Sequence, residues 1–364
     1  MPNNRIYYAI QQVKLGSSAS EGTMAAVRGL QSVGITTNFN LEQVFELGQL
    51  AIYQNIENVP DIEITLNKVL DGYPLIYTLA TEKGSSVASG LTASDPSLPG
   101  RQNARCDVML GIFPDTQLSA SGNLPTSVVT CNGMYVSSVG YTFPVDGNFT
   151  EDVTLVGNNK VWGTSATGAF DNTDSPASTV GVARRQYLNM SSCRFPTQIP
   201  GISASGTNAL SGSYATHFQN ISVNCDFGRE AISELGTFAP YFRYVTFPVE
   251  VTSEFEVLAI SGDAINATES GYYSGLTGTT VASGVQAACT ARHNLLDQTI
   301  FLETCEGTRI YLGTKNKLTS VNYNGGDTGG GNVTVTYSYT TYNDFYVAHS
   351  GGSFYSKLAN STYS

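Results

Sequence analysis

The sequence is short of charge. Asp, Glu, Lys and Arg make up 13% of its 364 residues, against roughly 25% in an average globular protein. Helical surfaces are normally covered by Glu, Lys and Arg, which lose little entropy in a helix, so this is not the composition of a solvated helical protein. Basic residues are the scarcer sign: 18 Lys and Arg stand against 29 Asp and Glu, a formal net charge of −11. That balance argues against gripping a phosphate backbone, because nucleic-acid affinity comes mainly from cations that neutralise phosphates. Histidine occurs three times, as His217, His293 and His349, and tryptophan once, as Trp162. No two histidines have the spacing of a helical ligand pair, and no GxSxG elbow, HExxH, Walker loop or calcium loop is present. No run approaches the ~20 apolar residues that span a bilayer.

Cysteine is also sparse. Cys106, Cys131, Cys193, Cys225, Cys289 and Cys305 lie far apart without a CxxC pair. They are too few for a disulfide scaffold and read as buried, reduced thiols, with disulfides that close after release from the cell as the alternative. Met1-Pro2-Asn3-Asn4-Arg5 leads into a strand-like run over 5–15 without a charged-then-apolar leader. The sequence therefore predicts no enzyme, no cofactor, no metal site and no membrane insertion.

What is abundant is Gly (37), Tyr (21) and Phe (16), with many Ser, Thr, Asn, Val and Ile. Such a chain can bury ample apolar area, which excludes disorder. The surfaces are mostly neutral and polar, which predicts a folded, mainly β protein.

The chain also repeats itself. At a shift of 188 positions, residues 31–60 fall on 219–248 without a gap, with nine identities in thirty positions. Gln31 falls on Gln219, Phe39 on Phe227, Glu42 on Glu230, Glu46-Leu47-Gly48 on Glu234-Leu235-Gly236, and Pro60 on Pro248. After the proline, a one-residue slip aligns Ile62-Glu63-Ile64-Thr65 with Val249-Glu250-Val251-Thr252. A weaker second block sets residues 136–141 on 318–323, with Val153 and Leu155 on Val335 and Tyr337. Two ordered matches indicate a fused tandem duplication.

The repeated blocks alternate as strands do. In residues 249–257 Glu250, Thr252, Glu254 and Glu256 lie opposite Val249, Val251, Ser253, Phe255 and Val257, which puts one face on a core and the other in water. Gly48 and Gly236 fall where one strand turns into the next. Asp71-Gly72-Tyr73-Pro74 opens a helix over 75–82. Long polar loops are expected over 84–103, 163–181 and 201–213, and a glycine-rich hairpin tip over 324–331. The boundary between the two copies falls within 163–200. The expected organisation is a first β domain over 1–165, a linker over 166–200 and a second β domain over 201–364.

The carboxylates that stand out belong to the repeated blocks: Glu42, Glu46, Asp61 and Glu63, then Glu230, Glu234, Glu250, Glu254 and Glu256. Acids alternating along a strand line a solvated face. They could equally form an electronegative wall past which a polyanion slides without sticking.

Residues 199–206 (IPGISASG), 226–230 (DFGRE), 234–236 (ELG), 243–251 (RYVTFPVEV) and 141–151 (YTFPVDGNFTE) together resemble the tail tube, or major tail, proteins of tailed bacteriophages. The resemblance runs from about residue 5 to about 348. It implies two tandem β-sandwich or barrel domains with long hairpins, few short helices and subunits that stack in rings around a lumen for genomic DNA. Where that family carries one tube domain per chain in a six-membered ring, a duplicated chain would close a trimeric, pseudo-hexameric ring. Its implied partners are further copies of itself, other tail proteins (sheath or tape measure, terminator, baseplate) and DNA passing without specific binding. Its implied place is the virion tail, after synthesis in the bacterial host cytoplasm. A secreted or surface β-rich adhesin or carbohydrate-binding protein is the alternative, although carbohydrate binding favours clustered tryptophans and only Trp162 is present.

Overall fold

In a computed structural model, residues 5–16, 24–83, 86–87, 105–114, 125–163, 181–203, 205–208, 215–259, 297–326 and 331–350 are described. The fold is mainly β, with antiparallel sheets and one short helix. In the first half the elements are β1 (Gln11–Gly16), β2 (Ala25–Ala26), β3 (Leu30–Asn38), β4 (Leu41–Phe45), β5 (Ile52–Glu57) and β6 (Asp61–Val69). There follow α1 (Ile76–Thr81), β7 (Glu82–Lys83), β8 (Ser86–Val87), β9 (Cys106–Ile112), β10 (Ser127–Pro144), β11 (Thr150–Gly157) and β12 (Asn159–Gly163). The second half has β13 (Phe218–Asp226), β14 (Glu230–Ile232), β15 (Phe242–Tyr244), β16 (Glu250–Leu258), β17 (Phe301–Glu303) and β18 (Thr308–Tyr311). It ends with β19 (Lys317–Asn324), β20 (Thr334–Tyr342) and β21 (Tyr346–His349).

Eight of these strands lie side by side in the order β3-β6-β11-β10-β13-β16-β20-β19. The first four come from one copy of the duplication and the last four from the other, in the same sequence. β13 repeats β3, β16 repeats β6, β20 repeats β11 and β19 repeats β10. The β-bulges repeat as well. β3 bulges between Leu30 and Ser32 and β13 between Phe218 and Asn220; β10 bulges between Val136 and Ser138 and β19 between Leu318 and Ser320. A bulge re-aims every later side chain, so conserving its position keeps the same residues on the same face. The two units join through antiparallel pairing of β10 with β13, from Ser138↔Asp226 to Pro144↔Asn220.

The register corrects two details of the sequence alignment. β3 and β13 keep the shift of 188, but Ile62 corresponds to Val251, not to Val249, because Ile62 pairs with Thr37 as Val251 pairs with Cys225. Val153 and Leu155 correspond to Tyr337 and Tyr339, not to Val335 and Tyr337, because Val139↔Val153 matches Val321↔Tyr337. Val and Ile positions two apart are interchangeable by period alone, so alternation without pairing leaves a two-residue ambiguity.

The apolar face of the eight-stranded sheet is covered in both halves. β10 runs on past its bulges into a second layer with β1, β9, β2 and β12, while β17, β18 and β21 form a separate three-stranded sheet. Ile64, Leu66, Leu155, Tyr141, Val223, Phe255 and Tyr339 belong to one continuous core shared by the two units. The segment 181–203 ties them further: Ala183 N–H donates to the Leu70 carbonyl, and Leu188 bridges Thr304. The helix spans Ile76–Thr81, shorter than the predicted 75–82, and the first strand starts at Gln11 after a 3-10 turn over Tyr8–Ile10. No helix among the described residues is long and apolar enough to cross a membrane.

Four cysteines (Cys106, Cys131, Cys193 and Cys225) are buried free thiols; Cys305 is exposed, contrary to the expectation that all would be buried. Cys289, His293, the 84–103 loop except 86–87, and most of the 163–181 loop lie outside the described residues.

Candidate functional site

The face of the eight-stranded sheet opposite the core carries the strands' other residues, and they are polar. Glu63, Thr65 and Asn67 on β6 pair across to Val156, Thr154 and Asp152 on β11. On β16, Thr252, Glu254 and Glu256 alternate with buried Val251, Ser253, Phe255 and Val257. The register assigns this face seven carboxylates: Asp61, Glu63, Asp152, Asp226, Glu250, Glu254 and Glu256. Among the described residues of these strands its only cation is Lys317 at the β19 edge, which is paired with Asp297 at 2.6 Å. Lys68 is turned the other way, into the core, where it reaches Asp71 at 2.5 Å.

Five of the nine acids singled out from the sequence therefore share one surface: Asp61, Glu63, Glu250, Glu254 and Glu256. The other four are elsewhere. Glu42 and Glu46 belong to the β4–β5 hairpin, and Glu230 and Glu234 to the β14–β15 hairpin, at the same places in the two copies. Asp152 and Asp226 were overlooked because their counterparts are Thr336 and Asn38, so they do not recur as acids. Period-2 alternation with Thr150 and Thr154 was the signal that would have found Asp152.

The hairpins are two arms of the same design. Each turns at a glycine in the left-handed region, Gly48 at φ 95° and Gly236 at φ 92°, which an L side chain adopts only under strain. Each bears exposed apolar side chains at its tip, Leu47 and Leu50 on one and Leu235 and Phe238 on the other.

Their surroundings differ. The β14–β15 arm is fastened to the first unit. The Arg243 guanidinium pairs with Asp61 and also donates to Asn158 Oδ1 at 3.0 Å, and Phe242 meets Tyr135 edge-on at 5.2 Å. Arg229 stacks over Tyr135 at 5.3 Å and donates to the Val136 carbonyl at 2.8 Å. Burial pulls the Arg229 guanidinium down to about 10, so it stays charged at neutral pH. At Asp61 burial pushes the carboxyl up. Hydrogen bonds from Asn40, Arg243 and Asn158, with the charge of Arg243, outweigh that and hold it below the usual carboxylate range. The β4–β5 arm has no comparable support, and all its strand residues except Val44 are exposed.

His349 and Glu306 form a fully buried pair at 3.2 Å. Burial works against the Glu306 carboxylate, but the hydrogen bond and charge of His349 hold it below its ordinary range. No group of three or more His, Cys, Asp or Glu among the described residues could hold a metal ion. A concavity of about 900 Å³ is an open trough along β1 and β3 lined by Tyr7, Tyr8, Gln11, Arg28, Gln31 and Tyr73 among others. It holds no convergent set of catalytic groups.

No family model matches the chain, and no curated protein matches it. Among solved structures, the cap that terminates the tube of the anti-feeding prophage, determined by cryo-electron microscopy, is similar at a TM-score of 0.29 and 14% identity. That match covers 45% of this chain and 94% of the cap chain.

Proposed function

We propose that this chain is a structural subunit of a phage-like tail tube, in which three copies close a pseudo-hexameric ring and stacked rings form a conduit for DNA. The observation that carries the reading is the tandem sheet: two four-stranded units in the same spatial order, with seven carboxylates on one face and, among the described residues, both outer edges unpaired. Unpaired edges of this length are normally blunted or covered in a monomer. A unit that repeats edge to edge is suited to a ring.

Three copies of eight strands give twenty-four. At ~4.8 Å per strand and a tilt of about 40°, such a barrel is roughly 50 Å across its backbone. Side chains leave a lumen of roughly 35–40 Å, with room for a double helix and a layer of water and ions. The acidic face would line it. Duplex DNA carries about one negative charge per 1.7 Å, so carboxylates on the wall repel it and keep it mobile. On this reading the protein has no catalytic role and resides in the virion tail after synthesis in the host cytoplasm. Its partners are its own copies and other tail components.

Electron microscopy of the purified protein, with the mass of one ring, tests the proposal. Trimeric rings or tubes are expected; a stable monomer at high concentration, or six chains per ring, refutes it. Within assembled tubes, reversing Glu63, Glu254 and Glu256 to Lys should slow genome ejection. Unchanged ejection through well-formed tubes would remove the acidic wall from the mechanism.

A further inference from the structure

The chain contains a worked example of its own interface. At the internal joint β10 and β13 pair, and the apolar residues beneath the pairing (Val139, Tyr141, Ile221 and Val223) are all within 2% of complete burial. Their counterparts at the outer edges are Val321 and Tyr323 on β19 and Val33 and Ile35 on β3. These are equally apolar but only partly covered; Tyr323 is 56% exposed. The β14–β15 arm follows β13 and lies down on the unit that β13 joins. The β4–β5 arm follows β3 in the same way, but among the described residues no unit lies beside β3 for it to cover.

We propose that β3 and the β4–β5 arm of one copy dock on β19 and the second unit of another copy, in the register of the internal joint. This inference rests on the ring reading and specifies its contact. Transferring Ser138↔Asp226, Val139↔Cys225, Gly140↔Asn224 and Tyr141↔Val223 gives Ser320↔Asn38, Val321↔Thr37, Asn322↔Thr36 and Tyr323↔Ile35. The pairing adds main-chain hydrogen bonds along both edges and covers the four half-exposed apolar side chains.

The arm contact changes character in the transfer. Asp61 becomes Glu250, which has no partner in the described chain, whereas Arg243 becomes Asn55 and Arg229 becomes Leu41. The ion pair that fastens the internal arm has no counterpart between copies. The exposed Leu41, Ile52 and Ile56 of an arm that also carries Glu42, Glu46 and Glu57 would rest there instead.

Cysteine pairs test the register in a Cys289→Ser, Cys305→Ser background. Thr36→Cys with Asn322→Cys should, on oxidation of assembled protein, give a covalent ladder ending at the trimer. Thr36→Cys with Ser320→Cys, slipped by two residues, should cross-link poorly. Preference for the slipped pair overturns the register. Rings seen by microscopy with neither pair cross-linking overturn the joint and leave the ring reading standing. Protein that stays monomeric by mass at every concentration overturns both. Independently, Asn55→Arg restores the charge opposite Glu250 and should let rings persist to a roughly tenfold lower concentration. Rings no more persistent than those of the unmodified chain would overturn the placement of the arm.

Discussion

Glu151 on β11 has its side chain turned into the core, where it is completely buried. It accepts the Ile76 N–H at 2.7 Å and the Tyr77 N–H at 3.0 Å, the first amides of α1, and the Tyr141 hydroxyl at 3.0 Å. One carboxylate thus holds the helix against the sheet. Glu151→Ala leaves all three donors without that acceptor in a dry site. Each orphaned donor costs about 1–3 kcal/mol, partly offset because a buried charge is also removed. A net loss of about 4 kcal/mol is expected. Glu151→Gln keeps an acceptor for the helix amides and should lose less than half as much. Urea unfolding at pH 7 reads both, through shifts of midpoint at constant m. A loss below about 1 kcal/mol in the alanine variant, or equal losses in the two, would refute the anchoring role.

The pH dependence has a definite sign. Burial pushes the Glu151 carboxyl above its ordinary value, against the pull of the two amides, Lys68 and Tyr141. The folded chain therefore holds that proton more tightly than the unfolded chain does. Stability from this group is greatest below the unfolded value and falls as pH rises through the raised one. Glu151→Gln should remove that slope.

Asp61 has the opposite sign: held below its ordinary value of 3.8 by Asn40, Arg243 and Asn158 despite burial, it stabilises above that value and ceases to as pH falls through the lowered one. Asp61→Asn should cost about 1 kcal/mol or less at pH 7, because the carboxylate is half exposed, and should flatten the acid limb of the stability profile. In a Cys289→Ser background a thiol reagent should label Cys305 quickly in the folded protein. Burial pushes Cys106 and Cys193 up to about 12 and Cys131 to about 11, so these three should react only on unfolding. Fast labelling of more than one thiol would refute their burial.

The β class was legible because it rests on local patterns. Alternation along 249–257, the glycines of the two arm turns and the low charge each reflect a strand half in water. The duplication was legible in the arms, where Glu-Leu-Gly recurs, and in the bulged strand at residues 136–141 and 318–323. The two alignment slips arose where only alternating Val and Ile carried the match, and hydrogen-bond pairing had to decide between equivalent registers. The Arg243–Asp61 contact was not legible, since its partners stand 182 residues apart and the arginine has no counterpart in the other copy. The anchoring role of Glu151 was hidden for another reason: alternation sets it beside Val153 and Leu155 on the buried side of β11, but its partners, the first amides of α1, stand about 75 residues away.

On the proposed reading the same duplication would make ring size a property of one chain. A joint between different surfaces closes only if its rotation divides a full turn; otherwise copies add without end as a filament. In the proposed ring the joint between copies repeats the one inside the chain, so every joint should carry the rotation fixed between β10 and β13. Three chains close when each joint turns the sheet by about 60°, half of it through contacts folded into the subunit and half through contacts made on assembly. The arginine fastening lies only on the internal half. In the proposed ring it would set the angle before any partner arrives, and the outer arm, which lacks that arginine, would then adapt to a partner whose geometry is already fixed. Loosening Arg243 should therefore broaden the distribution of ring sizes even though that residue touches no other copy.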